Sequence, residues 1–227
     1  MAQTSYFERF SLVEVQQTFY QPPRLATLER WRRDAPAPFE FTLKAWQLIT
    51  HEPSSPTYRR LREPVAPEAH GRYGSFRPSA EVHAAWNATL DCARALEAQV
   101  LVFQCPPSFA PTAEHIANLR RFFRMARGEA GSLRLCWEPR GGWPRDLVES
   151  LCGELGLHLI VDPFQQAPPE QGLRYFRLHG IGGYRYRYSD DDLLRLRRWG
   201  RGTAYCLFNN MNMVEDAMRF QALVAHR

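Results

Sequence analysis

Lysine is almost missing from this chain: of 29 lysine and arginine residues, only Lys44 is lysine. The arginine bias left one ammonium, and it stands at the end of the apolar run FEFTLKA. Long hydrophobic stretches are missing too. No run approaches the roughly 18 apolar residues of a bilayer-spanning helix, and the opening MAQTSYFERF has no apolar targeting core. The expectation is a cytoplasmic protein with no membrane partner. The five cysteines, 92, 105, 136, 152 and 206, form no C-x-x-C pair and leave one over, so they read as free thiols rather than a disulfide framework. Cys105 is the thiol best placed to be a nucleophile. There is no G-x-S-x-G, no Walker sequence, no dinucleotide fingerprint and no zinc-finger spacing. The common hydrolase, nucleotide-binding and finger classes lose their simplest support.

What is present suffices for one α/β domain over residues 1–227. The chain is 44% apolar and 13% aromatic, enough for a full core. Its net charge of +5 permits contact with phosphate groups but is a small surplus. Arginine clusters at 30–33, 59–62 and 120–124 read either as solvated faces or as a nucleic-acid groove.

Seven short apolar runs read as buried strands: LVEVQQ, FEFTLKAW, VLVFQCPP, LRLCWEPR, LHLIVD, YFRLHG and AYCLFNN. Helical periodicity marks 24–33, 79–97 with Ser79 as N-cap, 112–126, a helix starting at Pro144, another after Ser189 and its three aspartates, and a last one over 213–225. Residues 4–9 read as a helix end. Residues 51–78 hold five prolines and two glycines without periodicity, so they predict a long loop with short helical pieces; 52–76 is a candidate lid. Strand–helix alternation with near-continuous apolar strands predicts a parallel sheet of the TIM-like (β/α) barrel class, with seven strands where the common barrel has eight.

Each run stops at a residue suited to chemistry, and such barrels build their sites at the carboxyl ends of their strands. Glu138, Asp162 and His179 close successive strands and suit a divalent metal ion, with Glu14 as a further ligand; Arg140 and Arg177 beside them suit an ion-pair network equally. Lys44 has three readings: a cation for phosphate or carboxylate, a Schiff-base amine, or a salt-bridge partner of Glu14 or Glu138. Gln16, Gln104, Asn209 and Asn210 offer amides for orienting a polar ligand, and His51 heads the long loop. Gly182 and Gly183 lie in a glycine-rich loop where backbone N–H groups suit phosphate. Residues 184–188 alternate tyrosine and arginine, either as a stacking strip for bases or as tyrosines packed on the domain.

The segments VEVQQTFYQPP, FTLKAWQLITH, VFQCPPSF, WEPRGGW, YFRLHG, YRYSDDDLL and LFNN resemble the YecE-like family, domain-of-unknown-function family 72. The resemblance covers roughly residues 6–226 and implies a TIM barrel with no established reaction. Two departures stand out. The family's usual glycine-rich first strand, of the type G-T-S-G-W, is missing, which leaves its position empty, filled by another segment, or supplied by a partner in an oligomer. Gln16 stands where the family tends to have asparagine.

Together these readings predict a pocket for an anionic, phosphate-bearing small molecule, with metal-assisted phosphoester hydrolysis as its enzymatic form. Glu138 and Asp162 would be ligands or acid–base groups, His179 a ligand or proton shuttle, and Lys44, Arg140 and Arg177 anion holders. The alternatives are a non-catalytic protein that binds nucleic acid or a small ligand, and a subunit of a larger complex.

Overall fold

A computed structural model describes residues 3–225. The chain divides into two compact units, one ending at Leu157 and one beginning at His158. Strands and helices alternate through both, and the strand pairs described within each unit are parallel, as in the TIM-like α/β fold class.

The first unit carries β1 (Leu12–Val15), β2 (Glu40–Lys44), β3 (Val100–Gln104) and β4 (Arg134–Glu138). They pair in chain order, with Glu14 opposite Thr42, Lys44 opposite Val102 and Gln104 opposite Glu138. Its helices are α1 (Gln3–Phe7), α2 (Gln17–Tyr20), α3 (Leu25–Asp34), α4 (Gln47–Thr50), α5 (Ala80–Ala95), α6 (Ala113–Glu129) and α7 (Arg145–Leu155). No strand precedes Leu12 among the described residues, where the first segment is α1.

Capping chemistry sets the helix starts. The Ser79 hydroxyl accepts from the Val82 amide at 3.2 Å, and Thr112 accepts from His115 at 3.1 Å, satisfying amides with no partner inside the first turn. Val82, Trp86, Leu90 and Ala93 then bury one stripe of α5, while Leu119, Phe122 and Phe123 bury one of α6. Both stripes meet the odd-numbered face of β3. The Phe103 ring lies 4.9 Å from Phe123 and 5.7 Å from Phe122. Phe76 joins them at 5.3 Å from Phe123 although it belongs to the long loop.

That loop is tied down. Two 3-10 helices, Pro56–Arg60 and Pro67–Arg72, occupy part of it. Its end folds onto α4: Gly74 N donates to Leu48 O at 2.8 Å and Phe76 N to Ile49 O at 2.9 Å. Ser75 and Phe76 are left-handed, with φ of 49° and 53°, a conformation that survives only where surroundings hold it. Glu52 supplies part of that hold, accepting from Ser75 Oγ at 2.9 Å and Arg77 at 2.8 Å.

The second unit holds β5 (His158–Val161), β6 (Arg174–Leu178), β7 (Ala204–Phe208) and helices α8 (Asp190–Trp199) and α9 (Met213–Ala225). β6 pairs with β5 on one side and β7 on the other. Ser189 and Asp192 form a reciprocal capping box at α8, the role the Ser-Asp-Asp-Asp run predicts. Every strand lies where an apolar run predicts it. The four-residue helices α2 and α4 have no sequence signature, because one turn is too short to show a period.

Gly74 has φ +75°, and a Cβ there would lie 2.2 Å from the His51 carbonyl oxygen. Gly74→Ala is therefore expected to cost at least about 2 kcal/mol in urea unfolding. Gly131, left-handed at φ +59° but facing open space, should cost only about 1 kcal/mol on the same change. Equal costs would mean that the loop yields at His51.

Candidate functional site

Side chains alternate across a strand, and the register of the first unit decides which of them share a face. Glu14, Thr42, Lys44, Val102, Gln104 and Glu138 lie on one face, opposite the face that carries Phe41, Leu43, Leu101 and Phe103. Four of these polar groups stand at or next to the carboxyl ends of β1 to β4.

Lys44 is only 4% exposed, so its ammonium must find in the protein what it loses from water. It donates to Gln104 Oε1 at 2.9 Å and sits 3.9 Å above the Phe19 ring. Thr18 explains why Phe19 is there. Its hydroxyl contacts the carbonyls of Lys44 at 2.7 Å and Val15 at 3.0 Å, fastening α2 across the ends of β1 and β2. The Gln16 amide donates to Glu14, and Arg140 donates to Glu138 Oε1 at 3.0 and 3.2 Å. Glu138 is buried, whereas the Arg140 side chain is 38% exposed and forms the outer member of the pair.

His51 joins the group from the end of α4. It is buried, its Nδ1 lies 2.8 Å from Thr50 Oγ1, and its ring meets Phe19 edge-on at 4.9 Å. Burial first, and then the positive charges of Lys44 and Arg140, lower its pKa to about 3. It is a neutral imidazole at physiological pH. The first unit thus brings together Glu14, Gln16, Lys44, His51, Gln104, Glu138 and Arg140. Thr18 and Phe19, which no periodicity or spacing singles out, complete the set.

Cys105 is corrected by its surroundings. The thiol is fully buried, accepts from Trp137 Nε1 at 3.2 Å, and has its pKa pushed up by burial, a setting that disfavours the thiolate a nucleophile needs. The candidate lid is pinned beside the site: Tyr58 OH donates to His51 O at 2.8 Å, and Gln47 Nε2 to Tyr20 O at 2.9 Å and Thr57 O at 3.3 Å. A separate cleft of about 580 Å³ lies along α3 and α5, lined by residues of both charge signs including Arg32, Arg33, Asp91 and Arg94. It holds none of the strand-end groups.

In the second unit, Asp162 serves its own loops. It accepts from Phe164 N at 3.1 Å, His179 N at 3.0 Å and Gln165 Nε2 at 3.3 Å, while His179 Nδ1 lies 3.8 Å away. Arg177 is buried on β6, on the same face as Tyr175 and across from Leu207. Asn209 continues that face of β7, with its backbone amide on Leu178 O at 2.8 Å. Asn210 is spent on structure, donating to Tyr186 O and Asp216 Oδ2, each at 2.7 Å. Gly182 and Gly183 both have positive φ and face open space.

The tyrosine–arginine alternation does not make a strip. Tyr188 is buried, Tyr186 donates to Asp192 at 2.7 Å, and Arg187 pairs with Glu215; of the three tyrosines only Tyr184 is exposed, at 56%. Among the described residues no group of three or more His, Cys, Asp or Glu could hold a metal ion, which gives Glu138, Asp162 and His179 no support as a ligand set. No helix among the described residues is long and apolar enough to cross a membrane.

Comparison with known proteins agrees with this fold. A DUF72 family protein from Enterococcus faecalis V583 is similar at a TM-score of 0.73 and 16% identity, over 100% of this chain and 89% of that one. One from Thermotoga maritima MSB8 matches at 0.68 and 17%, over 100% and 91%. A xylose isomerase domain containing protein from Salmonella typhimurium LT2 matches at 0.59 and 12%, over 99% and 91%. No curated protein matches. The family described as protein of unknown function DUF72 matches residues 4–227, and the chain belongs to it.

Proposed function

We propose that the strand-end constellation of β1 to β4 binds a small anionic ligand bearing both phosphate and hydroxyl groups. The observation that carries this reading is Lys44: a buried ammonium at a strand end, held by an amide oxygen and an aromatic face. Burying a charge costs several kcal/mol unless it is compensated, so such a group persists where its charge has a use.

The neighbours narrow the ligand. Two cations, Lys44 and Arg140, stand with two carboxylates, Glu14 and Glu138, so the site does not attract an anion through net charge. It favours a molecule that offers acceptors to the cations and hydroxyl donors to the carboxylates. Arg140, partly exposed, meets phosphate first with its planar fork, and Lys44 acts as the deeper point charge. Neutral His51 can accept or donate one hydrogen bond without adding charge. Glu14 and Glu138 are the candidate proton acceptors for a bound hydroxyl. A metal-assisted version needs a ligand set that the described residues do not gather, and we do not adopt it. Within the second unit, Arg177 and the Gly182–Gly183 loop form a separate candidate for anion contact.

Calorimetry with inorganic phosphate and glycerol 3-phosphate tests the reading. Both should bind saturably, glycerol 3-phosphate more tightly, and Lys44→Met should weaken each at least about tenfold while circular dichroism is unchanged. If neither compound binds, or if Lys44→Met binds as the native protein does, the reading is wrong.

His51 yields a second expectation. Its folded pKa of about 3 lies below the ordinary 6.5, so between those values the unfolded chain takes up the proton and the folded chain does not. Stability due to His51 is complete above pH 6.5 and is lost as pH falls, by up to about 1.4 kcal/mol per pH unit. Urea midpoints between pH 6.5 and 5, where carboxylates stay ionised, should fall less steeply for His51→Gln than for the native chain. Parallel slopes would mean that the imidazole protonates without unfolding.

A further inference from the structure

Three exposed arginines, Arg59, Arg60 and Arg62, stand on the loop that follows β2, the loop that His51 begins. The arginine clusters at 30–33 and 120–124 belong to helices α3 and α6. This one is fixed to the rim of the site. Tyr58 OH holds His51 O at 2.8 Å, Gln47 clamps Thr57, and Arg62 N donates to Gln21 Oε1 at 3.1 Å, just past α2. Arg60 lies 4.1 Å above the Tyr20 ring. The Tyr20 ring is 5.0 Å from Phe19, and Phe19 is 3.9 Å beneath the Lys44 ammonium. Two rings therefore separate the innermost cation from the outermost. Among the described residues no ion pair neutralises the three arginines.

A buried ammonium continued by exposed guanidinium groups, that of Arg60 seated on Tyr20, calls for a ligand with more than one negative charge, spaced along its length. A nucleic-acid strand carries one phosphate per nucleotide, so a few nucleotides would run from Lys44 past Arg60. Guanidinium planes also stack on bases, which an isolated phosphate does not exploit. We propose that this rim is a docking track for a single nucleic-acid strand whose terminal phosphate reaches Lys44. The inference rests on the phosphate reading of Lys44 and extends it from a small molecule to the end of a strand.

Fluorescence anisotropy with short oligo(dT), with and without a 5′-phosphate, tests it. The triple change Arg59→Ser, Arg60→Ser, Arg62→Ser should weaken binding at least tenfold and reduce the steepness of the salt dependence by about 2, as expected for three lost contacts to a single strand. A control that removes the same charge elsewhere, Arg30→Ser, Arg121→Ser, Arg198→Ser, should bind as the native protein does. The 5′-phosphate should tighten binding in the native chain and make no difference in Lys44→Met. Equal losses in both triple variants, no oligonucleotide binding, or equal competition by poly-glutamate would overturn the track. Phosphate binding that needs Lys44, with no oligonucleotide bound, would leave the small-ligand reading standing and sink this one. Binding that needs the rim arginines but neither Lys44 nor a terminal phosphate would overturn the end-on docking proposed here together with the phosphate reading.

Discussion

The arrangement of the first unit turns on the cost of burying one ammonium. Lys44 gives up its hydration at the end of β2, and much of the surrounding structure answers that loss. Gln104 turns its amide oxygen towards it, α2 forms so that Thr18 can hold two strand ends, and the same short helix brings Phe19 under the charge. His51 is kept neutral in part by that charge. A single desolvated cation thus links three strand ends, one short helix and the start of the long loop.

The long loop owes its order to a related economy. Proline-rich and aperiodic, residues 51–78 bury little through any helix of their own. They gain structure by lending Phe76 to the aromatic cluster under β3 and by pressing Gly74 against the His51 carbonyl. Backbone strain at Ser75 and Phe76 is tolerated because α4 amply determines that stretch. Placement of His51 and packing of the core therefore both depend on this one stretch of loop.

Much of this architecture was legible in the residues. Parallel strands covered on both faces read as near-continuous apolar runs, and all seven did. Ser79 and Ser189 announced helices because a hydroxyl before an apolar stripe has a specific task. Strand-end polar residues pointed to a site because alternation places them predictably. What stayed hidden depended on tertiary neighbours. Phe19 looks like any core aromatic until an ammonium is found above it. Cys105 looked available until Trp137 was found to cover it. Asp162 carries the right chemistry for a ligand, yet its oxygens are committed to backbone and amide groups of its own unit. The tyrosines after Gly183 alternate as an extended strip would, but turns carry Tyr186 and Tyr188 into contact with helix ends.

Scarcity and burial at Lys44 also have a practical result. Reagents that acylate primary amines meet a single side-chain target, and it is only 4% exposed. Acylation of the lysine therefore needs the same access that a bound phosphate would need, and its rate measures that access at one named locality.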